Sequence, residues 1–252
     1  ANEAYWAATT KGRPEDQERS VRANAALRLL HSNPEEFAKL KGWQASGEVT
    51  DPLEARQLAI LIRAYTEQQI PPRTIEELAR REQEIEALFT SFRPEFEGRP
   101  AGENELRQVL AEEREDARRR AAWEAAKRIG TEVAPKLLAL AAKRNQAARE
   151  LGFRDFFALR LAVHELDEEE LLALLGILEK RTEVPFARAK AELDGELARR
   201  FEVSTGELRP WHYLDPFFQE APPAAGLASD RFFAGRDVVE LCRSFYAGLG
   251  LP

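Results

Sequence analysis

Apolar residues recur three and four positions apart along most of this chain, and no segment alternates convincingly between apolar and polar, so the pattern predicts helix after helix. After Gly12, Pro14 opens the first clear helix, whose apolar side uses Val21, Ala25, Leu29 and Leu30. His31 falls in its last turn, where a cation meets the negative end of the helix dipole, and reads as a structural cap. Asn33-Pro34-Glu35-Glu36 and Asp51-Pro52-Leu53-Glu54 each combine an N-cap, a proline at the first helical position and a glutamate close behind. The second begins a helix with Leu58, Leu61, Ile62 and Tyr65 on one stripe, ended by Pro71-Pro72. From Thr74 a longer amphipathic rod carries Leu78, Ile85, Leu88, Phe89 and Phe92 on one narrow face, a packing stripe.

Residues 92–100 interrupt that rod and are the one stretch that fits a β element, either a short hairpin or an extended connection. Helical character resumes from Asn104 and runs to Leu151-Gly152, with an interruption near Gly130-Thr131. The acidic run Asp167-Glu168-Glu169-Glu170 reads as a capping box, favoured by the helix dipole, and not as a metal or acid–base site. It starts a long helix with Leu171, Leu174, Leu175 and Leu178 inward. Pro185 should kink that segment or mark a boundary, and another helix then reaches about Phe201. Cys242 reads as a buried helical residue. The expected fold is therefore all-α: residues 1–252 form a single helical domain, an elongated multi-helix array without a repeat of fixed period.

Composition narrows the classes of function. Forty-four acidic against 37 basic residues leave a net charge of −7, which repels nucleic acid and anionic membrane surfaces. The arginine-rich residues 114–128 alternate with Glu and Ala at helical spacing and read as a solvated helix face. No apolar run is long enough to span a membrane and no signal sequence is visible. A lone cysteine allows no internal disulfide, so a cytoplasmic protein is expected.

The strongest chemical candidate is the loop at 208–219, where two prolines enclose Trp211, His212, Tyr213 and Asp215. An indole, an imidazole, a phenol and a carboxylate in a rigid loop suit the wall of a ligand site, and they suit equally a buried corner that locks two helices together. Pro210, His212, Tyr213 and Leu214, followed by Phe245, Tyr246, Leu249, Gly250 and Leu251, resemble in order the region preceding the zinc motif in the helical gluzincin peptidases, the group that includes angiotensin-converting enzyme and the oligoendopeptidases. Residues 1–10, with Trp6 and two threonines, are similar to that family's first helix. The run from Asn145 to Phe157 and the acidic start after His164 are similar to its middle.

The family's His-Glu-x-x-His motif is absent. The histidines are His31, His164 and His212, and the tempting His164-Glu165-Leu166-Asp167-Glu168 has glutamate in place of the second histidine. The resemblance thus implies that the chain is trimmed at both ends and stops before the zinc-binding helix. It would be the substrate-channel half of a zinc-dependent oligopeptidase or peptidyl-dipeptidase that cleaves short peptides. In that reading Trp211, His212, Tyr213 and Asp215 line one wall of the channel through hydrogen bonds and stacking, with Phe217 and Phe218 behind them. No catalytic residue and no metal ligand lies in this chain, and zinc belongs to the intact protein. The partners expected are short peptides, the missing catalytic half of the same polypeptide, and a second copy docking through the exposed truncated face. The alternative from a different class is a non-catalytic helical module that binds a peptide or partner helix in a groove between helices.

Overall fold

A computed structural model describes residues 1–213, 215 and 230–251 and is all-α apart from one small hairpin; Phe217 and Phe218 lie outside the described residues. The first helices are α1 (Asn2–Lys11), α2 (Pro14–Leu30), α3 (Pro34–Ser46), α4 (Pro52–Glu67) and α5 (Pro72–Ser91). Their starts follow the capping chemistry. Asn33 Oδ1 accepts from the N–H groups of Glu35 and Glu36 at 2.9 and 3.3 Å, and Asp51 Oδ1 accepts from those of Leu53 and Glu54 at 2.9 and 3.0 Å. His31 is the C-cap of α2, its ring tilted against Tyr65 and its carbonyl accepting from Gln69.

The hairpin pairs β1 (Glu95–Phe96) with β2 (Arg99–Pro100), Phe96 opposite Arg99. Its two turn residues, Glu97 and Gly98, both have positive φ (52° and 78°), as a tight two-residue hairpin turn requires. Arg118 holds the Glu97 carboxylate at 2.7 Å, and Phe96 points into a core with Ala101, Leu106, Val109, Ala122 and Ala125.

Next come α6 (Glu103–Glu112), α7 (Asp116–Lys127), α8 (Ile129–Glu150) and α9 (Phe156–Val163). The interruption expected near Gly130 falls at Arg128, and a further break at 113–115 separates α6 from α7. The cause of that second break is local: Glu113 folds its carboxylate onto the N–H groups of Arg114 and Glu115, at 2.7 and 3.1 Å, which turns the chain. α1 packs on α2, α2 on α5, α5 on α8 and α8 on α9; α3 packs on α4, and α4 on α9. The core of this layer contains Ile70, Ile75, Leu78, Leu140 and Ala147.

The last long helix, α10 (Glu168–Phe201), is capped by Asp167, whose side chain accepts from Glu170 N–H at 2.9 Å. It is followed by 3-10 turns at Thr205–Glu207 and Pro210–His212, then α11 (Asp230–Phe233) and α12 (Val238–Gly248). Three expectations are corrected here. Of the two expectations for Pro185 the boundary is overturned: it lies within α10, which runs unbroken from Glu168 to Phe201. Leu174, Leu175 and Leu178 face solvent instead of a core, as do Val184 and Phe186, because no described helix lies along this part of α10; its buried residues, Leu197 and Ala198, are at its far end. Cys242 is exposed on α12, as are Val238, Phe245 and Leu249. Among the described residues, no helix is long and apolar enough to cross a membrane.

Candidate functional site: a buried polar corner

The residues that anchor the 208–215 segment come from α7 and α10. Arg118, Arg119 and Arg120 are consecutive, so the helix sends them in three directions. Arg118 reaches Glu97 and Glu113, and Arg120 pairs with Glu124 and lies over the Trp211 ring. Arg119 points inward and is fully buried. Among the described residues its guanidinium bonds to no carboxylate. Instead Nε donates to the carbonyl of Trp211 (2.8 Å), Nη1 to those of Leu110 (2.6 Å) and Glu113 (2.9 Å), and Nη2 more weakly to that of Tyr213 (3.4 Å). The plane rests against the Phe201 ring at 4.4 Å. One side chain therefore ties the end of α6, the start of α7 and the Pro210–His212 turn together. Burial brings Arg119 down to about 10, with Arg200 adding to the effect and Asp116 and Glu113 opposing it. Glu113 is held at about 2, chiefly by its bond from Arg118 and then by the two backbone N–H groups it caps.

His212 is buried at 3% exposure. Its Nδ1 accepts the Arg209 N–H at 2.8 Å, which leaves the proton on Nε2, 2.9 Å from Asp116 Oδ1. The same carboxylate oxygen accepts Trp211 Nε1–H at 2.6 Å. Burial lowers the His212 pKa below its usual value of 6.5; Asp116 opposes the shift and Arg119 reinforces it. Tyr213 forms a second knot with α10: its hydroxyl donates to Asp194 Oδ1 at 2.8 Å and accepts from Lys190 Nζ at 2.7 Å, while Lys190 also binds Asp194. Burial raises the Tyr213 pKa, with Lys190 working against it and Asp194 with it. Burial likewise pulls Lys190 down, but its bonds to Asp194 and Tyr213 outweigh this and leave it raised. Asp215 is buried, and its charge acts on Lys127, whose pKa burial lowers.

The structure thus brings Trp211, His212, Tyr213 and Asp215 to one corner. The indole N–H, both imidazole nitrogens and the phenol hydroxyl bond within the chain. Arg119, Asp116, Lys190 and Asp194 complete the corner, and sequence reading missed all four. Arg119 was legible in principle. It stands three and six positions before Ala122 and Ala125, so it continues their buried stripe.

Among the described residues the three histidines do not converge on a zinc site. His31 ends α2 with its ring against Tyr65, His164 lies against Arg160 at the end of α9, and His212 is spent on Asp116 and Arg209. Among the described residues no group of three His, Cys, Asp or Glu side chains is placed to hold a metal. No family model matches the chain, and no curated protein or solved structure matches it.

The corner should respond to pH. The folded pKa of His212 lies below the unfolded 6.5, so the unfolded chain binds the extra proton first as pH falls. The expected outcome is stability independent of this group above about pH 6.5 and a progressive loss below it. Urea unfolding at pH 7.5 and 5.5 checks this: the loss between the two should shrink in His212→Gln, and an equal loss in both proteins would refute the assignment.

Proposed function

We propose that this chain forms one wall of the substrate channel of a zinc-dependent oligopeptidase, hydrolysing short peptides in the cytoplasm together with a catalytic half that the 252 residues do not contain. The observation that carries the reading is the ordered likeness of residues 1–10, 145–170, 210–214 and 245–251 to the helical gluzincin peptidases. Two structural facts support it. The fold is all-α, and α10 and α12 present apolar ridges that further polypeptide would cover.

In this proposal Trp211 and Tyr213, both half-buried, contribute surface to the wall, while His212 and Asp215 set its position from behind. Because their polar groups are engaged inside the chain, the wall acts by shape and stacking, and proton transfer belongs to the catalytic half. There zinc would polarise the scissile carbonyl and a glutamate would activate water.

The test is to read the gene beyond Pro252 and express the extended protein. A downstream His-Glu-x-x-His and chelator-sensitive cleavage of short fluorogenic peptides are expected, with residues 1–252 alone inactive and without stoichiometric zinc. A reading frame lacking the histidine pair overturns the peptidase reading and leaves the non-catalytic interaction module, which the inter-helical cleft described next would serve.

A further inference from the structure

A cleft of about 550 Å³ opens between α2, α4, α5, α8 and α9, on elements separate from the 208–215 corner. That volume falls within the roughly 300–1,000 Å³ range of small-molecule sites. Its wall is of two kinds. Ile70, Leu78, Leu151 and Leu159 supply an apolar surface, while Arg28, Glu82, Arg144, Glu67 and Arg160 supply charge.

The charges do not balance. Glu82 is shared: Arg28 reaches both of its oxygens, and Oε1 also accepts Arg144 Nη2 at 2.8 Å. Glu67 takes Arg160 Nη1 at 2.7 Å. Three guanidinium groups therefore face two carboxylates, in a chain whose net charge is −7. Arg144 is the one left short. It donates a single hydrogen bond, its guanidinium stands 5.0 Å from the Phe156 ring centroid, and its Nε and Nη1 find no partner among the described residues. A planar fork with donors to spare, beside apolar surface and partly shielded from water, matches a carboxylate that carries an apolar group.

The geometry points to this cleft as a binding site for small monocarboxylates with an apolar chain, the carboxylate bridging to Arg144 and the chain lying on Leu78, Leu151 and Leu159. Two sources share that chemistry, a free alkyl carboxylic acid and the C-terminal residue of a short peptide. The assignment does not depend on the peptidase reading.

Calorimetric titration of the full chain with octanoate, octanol, N-acetyl-leucyl-leucine and its C-terminal amide tests it. Saturable one-site binding of at least one of the two acids is expected, with the matching neutral compound at least tenfold weaker. Octanoate binding tighter than the dipeptide acid assigns the site to alkyl acids, and the reverse order assigns it to peptide C-termini. Arg144→Gln should weaken the better acid at least tenfold. Glu82 keeps its Arg28 partner in that variant, so the fold should persist. Asn24→Trp, a bulky change on the cleft wall one turn before Arg28, should also abolish binding, and it carries the test if Arg144→Gln does not fold. Failure of both acids to saturate, equal binding of acid and neutral compound, or wild-type affinity in either folded variant overturns the proposal.

Discussion

Arg119→Ala is expected to destabilise the chain by about 4 kcal/mol. Four backbone carbonyls, those of Leu110, Glu113, Trp211 and Tyr213, accept from this one buried guanidinium. Each buried acceptor stripped of its donor costs about 1–3 kcal/mol, with the weak bond to Tyr213 at the bottom of that range. Against this stands the cost of burying a guanidinium with no carboxylate beside it, visible in a pKa brought down to about 10. The bonds outweigh that cost because the alternative is not an apolar site. The carbonyls remain when the side chain is gone, and among the described residues no other hydrogen bond links the Pro210–His212 turn to Leu110. Arg119→Met should therefore recover only the packing on Phe201, and Arg119→Lys, with three donors on a point charge, should recover part of the bonding. Urea denaturation followed by far-ultraviolet circular dichroism measures all three variants. At about 2–4 °C per kcal/mol for a chain of this size, Arg119→Ala should melt about 10 °C lower. A loss below about 1 kcal/mol, or a Met variant as stable as the parent, would show that the corner does not depend on those bonds.

The elements that were legible in the sequence are those whose cause is local. Asn33, Asp51 and Asp167 cap helices because each carboxamide or carboxylate reaches N–H groups two or three residues ahead, a distance the sequence itself fixes. A β element within 92–100 was legible for the same reason, through Gly98, although the sequence left a hairpin and an extended connection both open. The break at 113–115 was not, because a glutamate capping its neighbours' N–H groups has the same composition as one pointing into water. The charged partners of the corner were illegible because they lie far along the chain: Asp116 is 95 residues from Trp211, and Arg119 is 92. The local rule that assigns an Arg-rich helix to solvent held for Arg120, which pairs with Glu124 one turn on, and failed for Arg119 one residue earlier. Periodicity fails differently on α10. It established that Leu174, Leu175 and Leu178 share a side of a helix, but not whether anything lies against that side.

That side of α10 sets the last expectation, that the chain self-associates through it. Leu174, Leu175 and Leu178 are each about half exposed and share one side of α10, apolar surface of a kind monomeric proteins rarely leave bare. Burying the exposed half of one such side chain is worth about 1 kcal/mol, so several meeting across two copies would offset part of the entropic cost of association. Sedimentation velocity should show a concentration-dependent dimer or higher species for the parent chain. Leu174→Glu with Leu178→Glu, one turn apart on the ridge, should return it to monomer. The same pair should leave unfolding of the monomer almost unchanged, within about 0.5 kcal/mol, since both side chains already meet water. Leu110→Ala supplies the contrast: Leu110 is fully buried, and its truncation should cost about 3 kcal/mol without touching the ridge. A parent chain that sediments as a monomer at high concentration would remove the dimer. A double glutamate variant that unfolds several kcal/mol more easily would place the ridge inside a core and contradict the exposed face that the proposed catalytic half is meant to cover.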